Sequence, residues 1–151
     1  MEGGRKPVIL AVDDMLHELK ACELLLGDHF TVLTASSAEN MFCVLRSCAP
    51  DLILLDVMMP VVDGYKAALA LKGDKRYRDI PIIFVTGATD EASESVGFAV
   101  GAVDYAHKPF SKAQLIKRIE AQLRIVSHQR EINELRTLLN TIGEKVRESG
   151  L

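Results

Sequence analysis

The stretch DLILLDVMMPVVDG, residues 51–64, constrains the fold more than any other part of the sequence. Its four consecutive apolar residues, 52–55, are typical of a β-strand buried on both faces of a parallel sheet. Asp56 follows directly, so its carboxylate is expected where the strand leaves the sheet. Ligands of open α/β sheets bind beyond the carboxyl ends of the strands, which makes Asp56 the best candidate for a reactive group. Asp63 is predicted to cap a helix that begins near Gly64.

The rest of the chain alternates between strand-like and helix-like segments. Further strands are predicted at residues 8–12, 30–34, 82–85 and 101–105, and helices at residues 15–27, 37–48, 63–72, 90–100 and from 111 onward. Five strands alternating with five helices indicate an α/β fold, in which a parallel sheet is covered by helices on both faces.

Composition restricts what such a chain can do. The 151 residues are 48% hydrophobic and 26% charged, as expected of one ordinary globular domain with an appendage. No apolar run approaches the roughly 18 residues of a membrane span, and there is no signal-peptide segment, so a cytoplasmic location without membrane binding is expected. The three cysteines lack metal-like spacing and are interpreted as small packing residues.

Charge divides the chain into a body and a tail. Residues 1–110 hold 10 Lys and Arg against 16 Asp and Glu, a net charge of −6, whereas residues 111–151 hold 8 against 5, a net charge of +3. The tail has no dense basic block interleaved with aromatic residues, so direct binding of nucleic acid is not expected.

Polar residues follow the predicted buried strands. Asp13 and Asp14 follow the first strand, Asp56 the third and Thr86 the fourth, and Lys108 lies just beyond the fifth. In a parallel sheet these ends share one edge, where carboxylates about 4 Å apart repel by about 4 kcal/mol at an effective dielectric constant of about 20. Such a cluster requires a cation, and oxygen ligands favour Mg²⁺. With a lysine and a hydroxyl for phosphate oxygens, the edge has the groups needed for phosphoryl transfer to a carboxylate.

Four motifs together resemble a known family. They are VILAVDD, DLILLDVMMPVVDG, IPIIFVTG and GAVDYAHKPF, and they follow the order and spacing of the response-regulator receiver domains of bacterial two-component signalling over residues 7 to about 122. The resemblance implies a flavodoxin-like, doubly wound five-stranded parallel sheet of order 2-1-3-4-5. It also implies that the chain is a phosphoacceptor rather than an enzyme, and that its donor is a sensor histidine kinase or a histidine phosphotransfer protein.

The resemblance assigns a metal site and a phosphoacceptor. Asp56 would accept the phosphoryl group, and Mg²⁺ would be held by Asp13, Asp14, Asp56 and the backbone carbonyl of Met58. A phosphatase of the haloacid-dehalogenase type, which also uses an Asp nucleophile, is the enzymatic alternative. That class needs a second acid two residues after the nucleophile, where this chain has Met58.

The resemblance also assigns the residues that respond to phosphorylation. Thr86 and Lys108 would contact the phosphoryl group, the bond before Pro109 would be cis, and Tyr105 would change rotamer as Thr86 moves. Regulators of this family that lose phosphate quickly tend to carry polar residues at two positions, occupied here by Met58 and Ala88. A long-lived phosphoryl-aspartate is therefore expected, since neither side chain can orient an attacking water.

The helical pattern continues past residue 122, where a receiver normally ends. We therefore predict a receiver domain at residues 1–122 and a coiled-coil extension of its last helix at residues 123–151. Apolar residues recur at heptad spacing, interrupted by His128 at one of the inner positions, and predict a parallel two-stranded dimer. The predicted seam consists of Ile125, Ile132, Leu135, Leu139, Ile142 and Val146. Glu131 and Arg136 occupy flanking positions from which they could pair across the dimer.

Other interpretations of the tail stay open. It could fold back on its own receiver or fray, because short isolated helices are marginal. The segment SHQREINELRTLL loosely resembles the phosphorylated helix of a sensor kinase, but Asn133 stands where the histidine of that motif would be. Finally, the extension could itself be the functional part, as a constitutive dimerisation or adaptor module whose phosphorylation is vestigial.

Overall fold

Five parallel strands form the single sheet of the computed structural model, which describes residues 4–87 and 99–150. The strands are β1 (Val8–Val12), β2 (Thr31–Ala35), β3 (Leu52–Asp56), β4 (Ile82–Thr86) and β5 (Asp104–His107). They are hydrogen-bonded in the order β2-β1-β3-β4-β5, and every neighbouring pair is parallel. The predicted doubly wound topology is confirmed.

Four helices lie within the described residues, and the chain marks the starts of three of them with polar caps. The helices are α1 (Leu16–Leu26), α2 (Ala38–Ser47), α3 (Gly64–Lys72) and α4 (Lys112–Glu148). The side chains of Ser37, Asp63 and Ser111 each accept a hydrogen bond from a backbone N–H in the first turn of α2, α3 and α4. The helix predicted at residues 90–100 lies almost entirely outside the described residues.

The fifth strand begins later than predicted. The sequence favoured residues 101–105, but the chain is still turning at Gly101, whose φ is +102°. The backbone N–H of Val103 then donates to the carbonyl of Ile82, and β5 runs from Asp104 to His107. The residues after Gly101 have a strand-like apolar pattern, but the left-handed backbone of Gly101 belongs to a turn. The strand can therefore begin only after this turn is complete.

The continuous apolar run of β3 is explained by helices on both faces of the sheet. Leu52 and Leu54 pack in one core with side chains of α1 and α4, including Leu26 and Leu115. The alternate residues of β3, Ile53 and Leu55, pack in a second core with side chains of α2 and α3. Because successive side chains of a strand point to opposite faces, a strand buried on both sides has no polar alternation.

Helix α4 has 37 residues and is about 55 Å long at 1.5 Å per residue. Its buried residues, Leu115, Ile116 and Ile119, all lie in the first third. The six residues of the predicted seam lie beyond them and are between 44% and 65% exposed. The tail therefore extends from the body and does not fold back over it within the described residues. None of the described helices combines the length and the apolar character needed to cross a membrane.

Candidate functional site

Three carboxylates meet at the carboxyl edge of the sheet. Asp13 and Asp14 follow β1 and Asp56 ends β3, and one oxygen of each lies within 4.8 Å of the other two. Asp13 and Asp56 are buried, whereas Asp14 is more open to solvent. The acids that the sequence separates by more than 40 residues are thus brought together by the parallel pairing of β1 with β3.

Lys108 supplies the positive charge of this cluster. Its Nζ donates to Asp13 Oδ2 at 3.1 Å and lies 3.7 Å from Asp56 Oδ1. Glu18, in the first turn of α1, brings a fourth carboxylate 3.9 Å from the same nitrogen. Glu18 is not among the site residues predicted from the sequence. The available signal was its spacing, because a residue four positions after Asp14 at the start of a helix can face the same strand ends.

The buried acids repel each other despite the lysine. Burial and the nearby charge of Asp13 raise the pKa of Asp56 to about 6, although Lys108 and the backbone N–H of Met58 act in the opposite direction. Burial lowers the pKa of Lys108, but its hydrogen bond to Asp13 and the charges of Asp56 and Glu18 outweigh this, and the pKa is raised. The cluster thus has more negative charge than one lysine neutralises.

These residues fit a small divalent cation. The donors are carboxylate oxygens, which are the ligands that Mg²⁺ prefers, and their separation of up to 4.8 Å is close to the span of oxygens around one such ion. Asp13 Oδ1 accepts a hydrogen bond from the backbone N–H of Met15 at 3.0 Å, which fixes the orientation of this carboxylate. A bound metal ion would supply the positive charge that balances the excess negative charge of the carboxylates.

The loop that carries Asp56 into α3 is held by close backbone packing. The N–H of Gly64 donates to the carbonyl of Val57 at 2.9 Å, and the N–H of Val57 donates to Val85 in β4 at 3.2 Å. The α-carbon of Gly64 lies directly against the Asp56 backbone, where a Cβ has no space. The Met58 side chain in this loop is 73% exposed, while Ala88, the other position linked to phosphoryl lifetime, lies outside the described residues.

Thr86 ends β4 at the carboxyl edge, and Tyr105 lies in the neighbouring strand β5, opposite Phe84. Thr86 is 2% exposed, and its carbonyl accepts a hydrogen bond from the N–H of Lys108 at 2.8 Å. The peptide bond between Lys108 and Pro109 is cis. Tyr105 is buried, and its hydroxyl is hydrogen-bonded to the hydroxyl of Tyr65 at 3.1 Å. The sequence analysis missed Tyr65, because nothing in the spacing of residues 65 and 105 indicates that they meet.

Comparisons with known proteins agree with this geometry. The response regulator receiver domain family matches residues 9–120 of the chain. The phosphate regulon transcriptional regulatory protein PhoB of Pseudomonas aeruginosa is 40% identical over 118 residues, which are 77% of this chain and 51% of PhoB. A probable cyclic di-GMP phosphodiesterase of Vibrio cholerae is 33% identical over 123 residues, 82% of this chain and 28% of that protein. The chain thus spans about half or less of the length of these relatives.

A solved structure extends the likeness to the fold. The receiver domain of the sensor histidine kinase PA1611 from Pseudomonas aeruginosa PAO1 superposes with a TM-score of 0.72 at 25% identity, covering 78% of this chain and 98% of that one. A magnesium ion is coordinated in the active-site cleft of that domain. The sequence match, the sheet topology and the acidic edge agree, and the chain belongs to the response regulator receiver domain family of two-component signalling.

Proposed function

We propose that the protein is a phosphorylation-dependent switch in which Asp56 accepts a phosphoryl group. The observation that carries the proposal is the buried carboxylate of Asp56 at the sheet edge, with two further acids within 4.8 Å and Lys108 Nζ at 3.7 Å. One Asp56 oxygen forms the new P–O bond while the bond between phosphorus and the donor's histidine nitrogen breaks. The electron pair of that bond stays on the leaving imidazole.

The other residues of the edge have separate roles in this proposal. Asp13, Asp14, Asp56 and the Met58 carbonyl would hold Mg²⁺, which supplies positive charge to the phosphoryl oxygens. Lys108 is close enough to Asp56 to exchange part of its contact with the carboxylate for one with a phosphoryl oxygen. The Thr86 hydroxyl donates to another oxygen, and Tyr105 responds to the position of Thr86. Because Met58 offers no polar group to orient water, the phosphoryl-aspartate is long-lived.

Removal of magnesium is expected to abolish phosphorylation. Wild-type protein incubated with acetyl phosphate and Mg²⁺ gains one phosphoryl group by intact mass spectrometry, and the same protein in EDTA gains none, because the acids then repel the incoming phosphate. An Asp13→Asn variant should need a higher Mg²⁺ concentration for the same incorporation. Equal incorporation with and without EDTA would exclude a metal-dependent acceptor.

The proposed partners follow from the family and the relatives. The donor is a sensor histidine kinase or a histidine phosphotransfer protein, which places the reaction in the cytoplasm. The relatives that this chain matches over only part of their length include a transcriptional regulator and a probable phosphodiesterase, so we propose that the switch controls an output domain rather than binding nucleic acid itself.

The exposed stripe of α4 is proposed to join two copies of the chain. The six seam residues are 44% to 65% exposed, and an exposed apolar stripe of this kind, interrupted here by His128, marks an interaction surface. Glu131 and Arg136 flank the stripe with opposite charges, which complement each other in a parallel pair. We therefore propose that residues 123–151 form a parallel dimer whose geometry transmits the state of Asp56.

A charge in the stripe is expected to separate the dimer. Wild-type protein should sediment with twice the chain mass of 16.6 kDa, and Leu135→Glu with the mass of a monomer, because a buried carboxylate without a partner is costly. Asn140→Glu introduces the same charge on the opposite side of the helix and should remain dimeric. A monomeric wild type would refute the dimer.

The alternative function, a constitutive adaptor, is distinguished by the response to phosphorylation. Beryllofluoride with Mg²⁺ imitates the phosphoryl group and should change the sedimentation coefficient of the wild type but not of Asp56→Ala. A dimer that is identical in all these conditions would favour the adaptor.

A further inference from the structure

Tyr65, Phe84 and Tyr105 form a connected aromatic group between α3 and the sheet. The Tyr65 ring meets the fully buried Phe84 ring edge-on, with centroids 5.0 Å apart. Phe84 and Tyr105 pair across β4 and β5, and their centroids are 5.4 Å apart. The two tyrosine hydroxyls close the group with a hydrogen bond of 3.1 Å. Tyr105 is only 4% exposed in this arrangement.

Tyr65 is fixed to the phosphoacceptor segment by its place in the chain. It is the second residue of α3, directly after Gly64, which packs against the Asp56 backbone and donates to Val57. The Asp63 side chain caps the same helix end by accepting from the N–H of Lys66 at 2.9 Å. The position of the Tyr65 hydroxyl is therefore set by the same backbone that carries Asp56.

We propose that Tyr65 is a positioning residue of the switch, whose hydroxyl holds the Tyr105 ring in the buried position before any phosphorylation. Phosphorylation then stabilises a rotamer that is already populated instead of driving the ring inward. This inference rests on the proposed function, because it concerns the residue through which that function reads the state of Asp56.

The aromatic contacts and the hydrogen bond stabilise different parts of the Tyr105 side chain, the ring and the hydroxyl. Phe84 supplies an apolar wall that favours burial of the ring but offers no partner to the Tyr105 hydroxyl. The Tyr65 hydroxyl is hydrogen-bonded to the Tyr105 hydroxyl, and a buried hydroxyl that loses a hydrogen-bond partner is destabilised by its desolvation. Replacing Tyr65 by Phe removes the hydroxyl but keeps the ring that packs on Phe84. The change therefore shifts the equilibrium of the Tyr105 ring toward the solvent-exposed position.

The test is ¹⁹F NMR on protein labelled with 3-fluorotyrosine, which gives one resonance for each of the three tyrosines. The H₂O-to-D₂O shift of the Tyr105 resonance measures its exposure, and Tyr105→Phe assigns it. In metal-free wild type the buried Tyr105 signal should already dominate, and Mg²⁺ with beryllofluoride should raise its share further. In Tyr65→Phe the buried-to-open ratio should fall about fivefold in the metal-free protein, as expected for one neutral hydrogen bond, and recover with Mg²⁺ and beryllofluoride.

Tyr77→Phe is the matched control, because Tyr77 is also buried, at 8% exposed, but packs against Phe42 instead of the switch residues. It should leave the Tyr105 resonance unchanged. A Tyr105 signal in metal-free Tyr65→Phe that is as buried as in the wild type would overturn the inference. Failure of the proposed function has a different signature: acetyl phosphate would then leave the wild-type mass unchanged, whatever the Tyr65 comparison gives in metal-free buffer.

Discussion

The Asp56→Asn variant is expected to take up no phosphoryl group and yet to unfold at a higher temperature than the wild type in metal-free buffer. Burial and the charge of Asp13 raise the pKa of Asp56 from 3.8 to about 6, so the ionised side chain opposes folding. Replacing it by a neutral amide removes that opposition, a gain of about 3 kcal/mol at pH 8. Intact mass after acetyl phosphate treatment and a thermal melt in EDTA measure the two effects.

The stability gain should depend on pH in a specific direction. Below pH 3.8 the carboxyl is protonated in both the folded and the unfolded states, and the wild type has no penalty. Between pH 3.8 and about 6 the unfolded chain releases a proton that the folded chain keeps, and above about pH 6 the full penalty applies. The difference in melting temperature between Asp56→Asn and wild type should therefore grow as the pH rises through this range and then become constant.

Asp28→Asn is the control for the acid-to-amide change. Its side chain is 84% exposed, and its carboxylate lies 3.6 Å from Lys112 Nζ. An exposed ion pair of this kind contributes little to stability. The free energy of unfolding of Asp28→Asn at pH 8 should lie within about 0.5 kcal/mol of that of the wild type. An Asp56→Asn protein that is less stable than the wild type at pH 8 would contradict the description of Asp56 as a buried, mutually repelling acid.

The Gly64→Ala variant is expected to lose about 3 kcal/mol or more of unfolding free energy. A Cβ at this position would lie 2.9 Å from the Cα of Val57 and 3.0 Å from the carbonyl carbon of Asp56, and closer still to the Asp56 carbonyl oxygen. All of these atoms belong to backbone, so no side-chain rotation can relieve the overlap. Urea denaturation followed by circular dichroism measures the loss, and the displaced loop should also reduce phosphorylation by acetyl phosphate.

Gly87→Ala is the matched substitution at the same edge of the sheet. A Cβ on Gly87 would meet no atom of residues 4–87 or 99–150 within 4 Å, and its φ is not in the left-handed region. The denaturation midpoint should stay close to that of the wild type, a difference within about 0.5 kcal/mol. A Gly64→Ala protein as stable as Gly87→Ala would contradict the close backbone packing of α3 on the phosphoacceptor strand.

The fold could be predicted because each buried strand carries its own signal. The run 52–55 is apolar throughout since β3 is covered on both faces, and each polar residue that follows a strand must then lie at one edge. Asp13, Asp14, Asp56 and Lys108 could be assigned to one site on that argument alone. The geometry of the acids and the lysine agrees with it.

Contacts between side chains of different elements could not be predicted in the same way. Glu18 lies near Lys108 because the first turn of α1 directs its side chain toward the strand ends. Tyr65 contacts Tyr105 because α3 packs on β4 and β5. The start of β5 depends on the left-handed backbone of Gly101, which the sequence does not distinguish from an ordinary turn glycine. The heptad pattern of α4 predicts a partner helix, which we propose belongs to a second copy of the chain.

The most direct test of the account is to locate the phosphoryl group. Wild-type protein is treated with acetyl phosphate and Mg²⁺ and reduced with borohydride, which converts an aspartyl phosphate to homoserine, and its peptides are sequenced by mass spectrometry. Phosphorylation of Asp56 would give homoserine at position 56 and leave unmodified aspartate at positions 13 and 14. Homoserine at another position, or a phosphoryl group retained on a histidine such as His128 with Asp56 unmodified, would contradict it.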